Sequence, residues 1–160
     1  MKGTVECPEC GAEVPQRRNP FPTVDCLIRR KTGEGAPGVV LIRRKNPPEG
    51  WAIPGGFVDY GESVEDAVRR EMKEETDLEL EELEQFHVYS APDRDPRFHT
   101  ICTVFLARGV GELQAGDDAA DARVFPLDGL PPAAELAFDH HAILTDYLEW
   151  RAGAEVAPLE

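Results

Sequence analysis

The stretch GGFVDYGESVEDAVRREMKEETDL, residues 55–78, decides the fold, and its acidity needs an explanation. It carries eight acidic and three basic side chains between a pair of glycines and a leucine. Ser63 followed by Asp66 three residues later is typical of a helix N-terminus. Apolar residues then recur at helical spacing, so the stretch predicts a helix from about Val64 to about Thr76.

This helix directs some of its acidic side chains toward its apolar face. At about 100° per residue, Glu71 and Glu75 fall in the middle of that face, and Glu74 falls at its edge. Carboxylates in such a place are costly unless each is paired or bound to a cation. One interpretation is a set of internal salt bridges, with Arg70 as the partner. We favour a divalent cation, because hard carboxylate oxygens suit Mg²⁺ or Mn²⁺.

The spacing of these residues resembles the signature of the Nudix hydrolase family, the Nudix box. The positions that match it are Gly56, Glu62, Arg70, Glu71, Met72, Glu74, Glu75 and Leu78. One position differs, because Asp77 stands where the family usually has glycine. Aspartate tolerates the left-handed backbone that such a helix end needs, so the mismatch affects the turn rather than the metal site.

The resemblance implies an α/β/α sandwich with a mixed sheet between helices. The rest of the chain independently predicts an α/β or α+β sandwich, because strand-like runs surround one helix and a second helix closes the chain. We expect a hairpin of strands at 23–30 and 38–45, a loop at 46–57, strands at 84–91, 99–108 and about 123–126, and a helix at 134–152. The predicted domain covers residues 22–153, between an N-terminal appendage at 1–21 and a tail at 154–160.

The resemblance also assigns roles to the acidic residues of the box. Glu71 and Glu75 would be the main ligands of Mg²⁺ or Mn²⁺, and Glu74 would be a third ligand or a base. A backbone carbonyl of the glycine pair, for which we take Gly56, would complete the coordination. The implied reaction is hydrolysis of a nucleoside diphosphate linked to another moiety. A bound cation suits it by polarising phosphoryl oxygens and lowering the pKa of a water.

Further catalytic roles fall to residues around these ligands. Arg70 would orient a carboxylate of the box, and Glu62, which we group with the substrate-binding residues, would pair with groups at the helix end. Family members differ in where the base lies, and several place it on a later loop. In GDDAADARVF, residues 116–125, the candidates are Asp118 and Asp121, and we choose Asp121. The alternative for each is a solvated acidic turn.

The segment YSAPDRDPRFHT, residues 89–100, is the best indication of the substrate. Arg94, Arg97 and His99 are concentrated there in a chain poor in positive charge. Arginine suits bidentate contacts to phosphate. The segment is similar to one found in ADP-ribose diphosphatases of the family, which implies cleavage of ADP-ribose to AMP and ribose 5-phosphate. The alternative is that these side chains only fix a hairpin.

The sequence is also compatible with other functions of the same fold. One is a nucleoside triphosphate diphosphohydrolase acting on damaged nucleotides, and another is an NADH diphosphatase. A Nudix-fold ligand sensor without turnover is the alternative from a different class, although every carboxylate of the box is present. Four aromatic residues are candidates for stacking on the base, with core packing as the alternative: Phe21, Tyr60, Tyr89 and Phe138.

Composition limits the partners and the location. Thirty-one acidic residues against seventeen basic ones give a formal net charge of −14, which disfavours nonspecific binding to nucleic acid. The start, MKGTVECPEC, has no apolar segment typical of a signal peptide, and no apolar run is long enough to span a membrane. We therefore expect a cytoplasmic enzyme for a small nucleotide, with a homodimer as an open possibility.

The pair Cys7 and Cys10 resembles half of a zinc ribbon, which needs a second pair of cysteines. The other two, Cys26 and Cys102, lie in strand-like runs and are not spaced as such a pair. Zn²⁺ at Cys7 and Cys10 would therefore require ligands from another chain. The alternative, which we favour on sequence alone, is a degenerate remnant of a complete ribbon.

Overall fold

Nine strands and two α-helices form the part of the chain that the computed structural model describes, residues 2–17, 19–116 and 119–153. They are, in order, β1 (Lys2–Glu6), β2 (Glu13–Arg17), β3 (Phe21–Lys31), β4 (Pro37–Arg44), β5 (Gly50–Ala52), β6 (Gly55–Phe57), α1 (Val64–Thr76), β7 (Glu79–Tyr89), β8 (Thr100–Val110), β9 (Ala119–Pro126) and α2 (His140–Arg151). The predicted tail at 154–160 and the candidate Asp118 lie outside the described residues. Within those residues, no helix is long and apolar enough to cross a bilayer.

Seven of the strands form one mixed sheet. Its main order is β5-β4-β3-β8-β7, with β6 paired to β3 and β9 paired to β4. Strands β3 and β8 run parallel over nine residue pairs, from Phe21↔Thr100 to Arg29↔Arg108, and the other pairs are antiparallel. The predicted hairpin of β3 and β4 is confirmed, and so is the mixed sheet.

Each face of this sheet is covered by one helix. Along β3, Val24, Cys26 and Ile28 are buried on the side of α1, and Leu27 is buried on the opposite side, with α2. This alternation follows from the two-residue period of a strand, and burial on both faces explains its nearly continuous apolar sequence. The predicted α/β/α sandwich is confirmed.

Helix α1 begins and ends where the sequence predicts. The Ser63 hydroxyl accepts a hydrogen bond from the Asp66 N–H (3.1 Å) and donates one to the Asp66 carboxylate (2.7 Å). At the other end, Asp77 adopts the left-handed conformation, with φ 56° and ψ 15°. Its carboxylate lies 2.6 Å from the Lys73 ammonium. Aspartate therefore ends the helix in the backbone conformation that glycine would adopt.

Three predictions about a loop and about element boundaries were wrong. Strands β5 and β6 lie within the predicted loop at 46–57, and three-residue strands are too short to show an alternating pattern. The C-terminal helix begins at His140 rather than at residue 134. Leu136 instead forms a bridge with Trp51, and Phe138 has a φ of 55°, so the chain cannot yet be helical there. Strand β9 is also longer than predicted.

The N-terminal appendage contains a hairpin that the sequence did not predict. Strands β1 and β2 pair antiparallel from Lys2↔Arg17 to Glu6↔Glu13 and form a two-stranded sheet of their own. The turn between them carries Cys7 and Cys10. The pairing of β1 with β2 therefore ends directly before the turn that contains the two cysteines.

Candidate active site

The acidic residues of α1 meet the backbone of the glycine pair before it. The Gly55 N–H donates a 2.8 Å hydrogen bond to Oε2 of Glu75. A Cβ added at Gly56 would lie 2.3 Å from the carboxylate carbon of Glu71, which no side chain allows. Glycine is required here because the carboxylate lies directly against the loop backbone.

Burial of these carboxylates changes their protonation. Burial, together with the charges of Glu71 and Asp25, raises the pKa of Glu75 to about 8, although the hydrogen bond from Gly55 opposes this change. Burial also raises the pKa of Glu71, although the hydrogen bond from Arg70 opposes this change. The carboxylates of α1 therefore lie in a place where their negative charge is not fully balanced by the protein.

Arg70 connects three glutamates of the box. It donates two 2.9 Å hydrogen bonds to Glu62, one of 2.8 Å to Glu71 and a longer one of 3.4 Å to Glu74. The predicted orienting role of Arg70 fits this geometry. Glu62, which we grouped with the substrate-binding residues and expected to pair with groups at the helix end, accepts hydrogen bonds from Arg70 and from the Asp59 N–H and does not line the cavity.

The donor set fits a divalent cation. Two half-buried carboxylates with raised pKa values, a more exposed third one (Glu74, side chain 59% exposed) and a glycine backbone offer hard oxygen ligands. Within residues 2–17, 19–116 and 119–153, no three acidic, histidine or cysteine side chains are already grouped around one point. The reason is that Arg70 holds Glu71 and Glu74, so coordination by them would exchange a hydrogen bond for a metal bond.

These carboxylates form one side of a cavity of about 350 Å³. We call Glu71, Glu74 and Glu75 the acidic wall. Two arginines, Arg44 and Arg97, line the same cavity and form what we call the basic wall.

Both arginines of the basic wall pack on one aromatic ring. Their guanidinium carbons lie 4.8 Å (Arg44) and 5.0 Å (Arg97) from the centre of the Phe138 ring. Burial and the charge of Arg97 lower the pKa of Arg44, so the two cations are close enough to repel each other. An anion bound between them would relieve this repulsion.

Besides its contact with the Phe138 ring, each arginine of the basic wall donates hydrogen bonds to one other residue and keeps nitrogens for a ligand. Arg97 makes a bidentate pair with the buried Asp95, with N···O distances of 3.0 and 2.9 Å. The Arg44 Nε donates to the Pro48 carbonyl at 2.9 Å. The remaining nitrogens of these two guanidinium groups make no further hydrogen bond to the described residues. Both arginines line the cavity.

The floor of the cavity is a buried network that the sequence did not reveal. Arg94 donates two hydrogen bonds to Asp139 (2.9 and 2.7 Å) and one to Thr100 (3.0 Å), and its side chain is only 6% exposed. Arg94, which we predicted as a substrate ligand, lines the cavity, and its guanidinium also joins the loop after β7 to the start of α2.

Asp25 and His140 complete this floor. The Ile53 N–H donates to Nδ1 of His140 at 2.9 Å, so the proton of the neutral imidazole is on Nε2, which lies 3.5 Å from Asp25. Burial opposes ionisation of Asp25, but the hydrogen bond from His140 and the charge of Arg94 outweigh it and lower its pKa. An aspartate inside the apolar run TVDCLI was the signal that could have identified this residue.

Two other predicted residues, His99 and Asp121, lie in different places. His99 is exposed and lines a neighbouring cavity of about 670 Å³ with Phe21, Arg97 and Phe98. Asp121 lies on strand β9 rather than on a loop, and its carboxylate pairs with Arg123 at 2.5 Å. It does not line the cavity of the acidic wall, so the geometry does not favour it as the base.

The candidate aromatic residues also lie in different places. Tyr89 is buried and donates a hydrogen bond to Asp146, whereas Tyr60 is fully exposed. Phe21 packs edge-to-face with Phe57 and Phe98 in an exposed cluster. Of Phe21, Phe57 and Phe98, only Phe57 also lines the cavity of the acidic wall, so this cluster lies at the margin of the cavity.

A larger cavity, of about 510 Å³, lies at the opposite end of β3, around Arg29, Tyr147 and Trp150. One carboxylate lines it, that of Glu82, and this carboxylate pairs with Arg29 and Arg108. A single carboxylate that is already paired with two arginines does not provide a set of metal ligands. The smaller cavity is therefore the candidate active site.

An α/β/α sandwich with a glycine loop, a carboxylate-bearing helix and arginines lining the same cavity is an arrangement suited to a phosphate compound and a cation. Comparisons with known proteins identify the class. Residues 19–147 match the model of the NUDIX domain family. The chain therefore belongs to the NUDIX family, and the predicted membership of the Nudix hydrolases is confirmed.

Three similar proteins show how far the likeness extends. A protein of Methanocaldococcus jannaschii named ADP-ribose pyrophosphatase is 52% identical over 138 residues, 84% of this chain and 77% of that protein. The NAD-capped RNA hydrolase NudC of Pseudomonas aeruginosa is 33% identical over 94% of this chain, which spans only 51% of its length. The solved NUDIX domain of Shewanella oneidensis NrtR, complexed with ADP ribose, gives a TM-score of 0.72 at 26% identity, covering 84% of this chain and 90% of that one.

Proposed function

We propose that this protein hydrolyses ADP-ribose to AMP and ribose 5-phosphate with the help of Mg²⁺ or Mn²⁺. The observation that carries the proposal is the single cavity in which the acidic wall faces the basic wall. A diphosphate needs both, because its oxygens bind arginine directly and bind carboxylates only through a cation. The name of the methanogen relative supports ADP-ribose as the substrate.

The acidic wall would hold the cation. Glu71 and Glu75 would be its ligands, with the backbone at Gly56 beside them. Arg70 orients Glu71 beforehand, and coordination would replace their hydrogen bond. When bound, the cation neutralises phosphoryl oxygens and lowers the pKa of a water to near neutral.

The chain's own residues would then position the diphosphate and take the proton. Arg44 and Arg97 bind the phosphate oxygens, and the Asp95 pair fixes the plane of the Arg97 guanidinium. Glu74 lines the cavity and is exposed, so it can accept the proton of the attacking water and release it to solvent. This position favours Glu74 over Asp121 as the base.

The adenosine half and the ribose half of the substrate need different surroundings. The aromatic cluster of Phe21, Phe57 and Phe98 lies at the margin of the cavity and offers ring faces for stacking on adenine. Arg97 lines both this neighbouring cavity and that of the acidic wall, so a ligand can extend from one into the other. We place the adenosine half on the cluster.

A substrate panel tests the proposal. ADP-ribose, NADH, NAD-capped RNA and nucleoside triphosphates are each incubated with Mg²⁺, and the products are separated by ion-exchange chromatography. We expect ADP-ribose to have the highest kcat/KM and to give AMP and ribose 5-phosphate. A preference for NADH or capped RNA would favour the activity named for the NudC relatives. Release of inorganic pyrophosphate from a triphosphate would contradict the proposed substrate class.

A further inference from the structure

His140 begins α2 and contacts the chain just before the glycine pair. Its Nδ1 accepts a 2.9 Å hydrogen bond from the Ile53 N–H, and both residues are almost fully buried. Ile53 lies between β5 and β6, so the backbone donor at this point is satisfied by a side chain from a distant element. The hydrogen bond therefore joins the start of α2 to the loop that enters the active site.

The loop fixed in this way carries the groups that meet the acidic wall. Two residues after Ile53, the Gly55 N–H donates to Oε2 of Glu75 at 2.8 Å. The next residue, Gly56, lies directly against the carboxylate of Glu71. A shift of the backbone at Ile53 would therefore change the distance from the loop to both carboxylates.

The imidazole of His140 lines the cavity, but both of its nitrogens are engaged. Nδ1 accepts from Ile53, and Nε2, which carries the proton of the neutral ring, faces the Asp25 carboxylate at 3.5 Å. A neutral imidazole has one donor and one acceptor, so none is left to exchange a proton with a water or a substrate. This geometry suits a residue that positions the loop rather than one that takes part in proton transfer.

We propose that His140 is a positioning residue of the cation site, because its hydrogen bond to the Ile53 N–H keeps the glycine loop against Glu71 and Glu75. The proposal rests on the function proposed above, in which these two carboxylates bind a divalent cation. The Gly55 N–H is a hydrogen-bond partner of one such ligand, and loss of such partners changes metal affinity or activity by about 10–100-fold. Weaker cation binding is therefore the expected result of losing the acceptor at His140.

Two variants separate the contact with Ile53 from the other contacts of the ring. In His140→Asn, the side-chain oxygen is as many bonds from Cβ as Nδ1 is, so it can still accept the Ile53 N–H. In His140→Gln, the polar atoms lie one bond further out, where they can reach Asp25 but not Ile53. Both variants lose the ring that packs beside Phe138, with ring centres 5.2 Å apart. A difference between them therefore reports on the hydrogen bond to Ile53.

Mn²⁺ binding to the full-length protein without substrate, followed by electron paramagnetic resonance, measures the effect. We expect the Kd for Mn²⁺ to rise about 10–100-fold in His140→Gln and to stay within about threefold of wild type in His140→Asn. The kcat for ADP-ribose should follow the same order, with equal KM values in the two variants. His141→Ala, an exposed neighbour on the same helix, is the control and should match wild type.

Amide hydrogen exchange shows whether the loop itself is released. The Ile53 N–H should lose protection in His140→Gln and keep it in His140→Asn. The Ala137 N–H, which donates to the Trp51 carbonyl at 2.9 Å, should stay protected in both. Loss of protection at both amides, unfolding of both variants, or equal Mn²⁺ affinity in the two would each overturn the proposal.

Failure of the proposed function gives a different result. Wild-type protein that binds no Mn²⁺, or that binds it without cleaving ADP-ribose, would contradict that function. The exchange of the Ile53 N–H in the two variants would then still decide whether His140 fixes the loop, since it is measured without cation or substrate.

Discussion

The two walls of the cavity are built in different ways. The acidic wall comes from one helix, where Glu71, Glu74 and Glu75 occupy positions i, i+3 and i+4 of α1. The basic wall is assembled from β4 and from the loop between β7 and β8, which are far apart in the sequence. The first depends on local geometry and the second on the tertiary fold. Variants in the acidic wall should therefore mainly lower kcat, whereas variants in the basic wall should mainly raise KM.

Removing the charge of Glu75 should have the largest effect. Glu75→Gln keeps the shape and can still accept the Gly55 hydrogen bond, but it loses a cation ligand. We expect kcat for ADP-ribose to fall by about 10³-fold or more, since a bound metal supplies several kcal/mol of transition-state stabilisation. Steady-state kinetics with Mg²⁺ measures the loss.

Glu65→Gln is the matched control for this variant. Glu65 is exposed on the same helix and does not line the cavity, so its rate should stay within twofold of wild type. Circular dichroism should show both variants folded. A Glu75→Gln enzyme that turns over at the wild-type rate would remove Glu75 from the metal site.

Changes in the basic wall should affect binding more than turnover. Arg97→Ala and Arg44→Ala each remove charged hydrogen bonds to phosphate, worth about 1.5–3 kcal/mol. We expect KM for ADP-ribose to rise about 10–100-fold with a smaller fall in kcat. Arg108→Ala, at the opposite end of the sheet, is the control and should leave KM unchanged.

Thermal melts accompany the arginine variants, because Arg97 also pairs with Asp95. If Arg97→Ala simply unfolds while Arg44→Ala keeps the wild-type KM, the arginines serve the fold and not the substrate. Arg97→Lys adds a finer comparison. It keeps the charge but loses the bidentate geometry, so its KM should fall between those of wild type and Arg97→Ala.

The acidic wall should also make stability depend on pH. The folded protein holds a proton on Glu75 up to about pH 8, whereas an unfolded glutamate releases it near pH 4.5. The free energy of unfolding in EDTA should therefore fall between about pH 5 and pH 8, by about 1.4 kcal/mol for each unit of pKa shift. Denaturant titrations across this range measure the slope.

Glu75→Gln and Mg²⁺ sharpen this test. The variant has no proton to lose at this position, so its slope should be shallower than that of wild type. Saturating Mg²⁺ should flatten the wild-type slope as well, because the cation replaces the proton. Parallel slopes in wild type, variant and Mg²⁺ would show that Glu75 titrates normally.

The smallest effect is expected at Asp77, which lies outside both walls. Asp77→Gly removes the strain of a left-handed residue but also removes the contact with Lys73 and makes the unfolded chain more flexible. These changes oppose one another, so unfolding free energy should change by less than about 1 kcal/mol. Activity should be unchanged. Asp77→Val should be clearly less stable than the wild type and than Asp77→Gly.

The contrast between the walls also explains what the sequence could predict. Helix period and box spacing placed Glu71, Glu75 and the boundaries of α1, because these features depend on neighbours along the chain. Arg44 escaped notice because nothing local distinguishes it from Arg43; only strand pairing decides which one lines the cavity. The buried pairing of Arg94 could not be predicted for the same reason, since its partner Asp139 is 45 residues away. Short strands such as β5 exist only through pairing with β4.

Titration of ADP-ribose hydrolysis with Mg²⁺ tests the central claim most directly. The claim is that the two walls act on one diphosphate through a cation bound at the acidic wall. We predict no turnover in EDTA, saturable activation by Mg²⁺, and AMP and ribose 5-phosphate in equal amounts. Hydrolysis that persists in EDTA, or ADP-ribose that binds without being cleaved at saturating Mg²⁺, would contradict it.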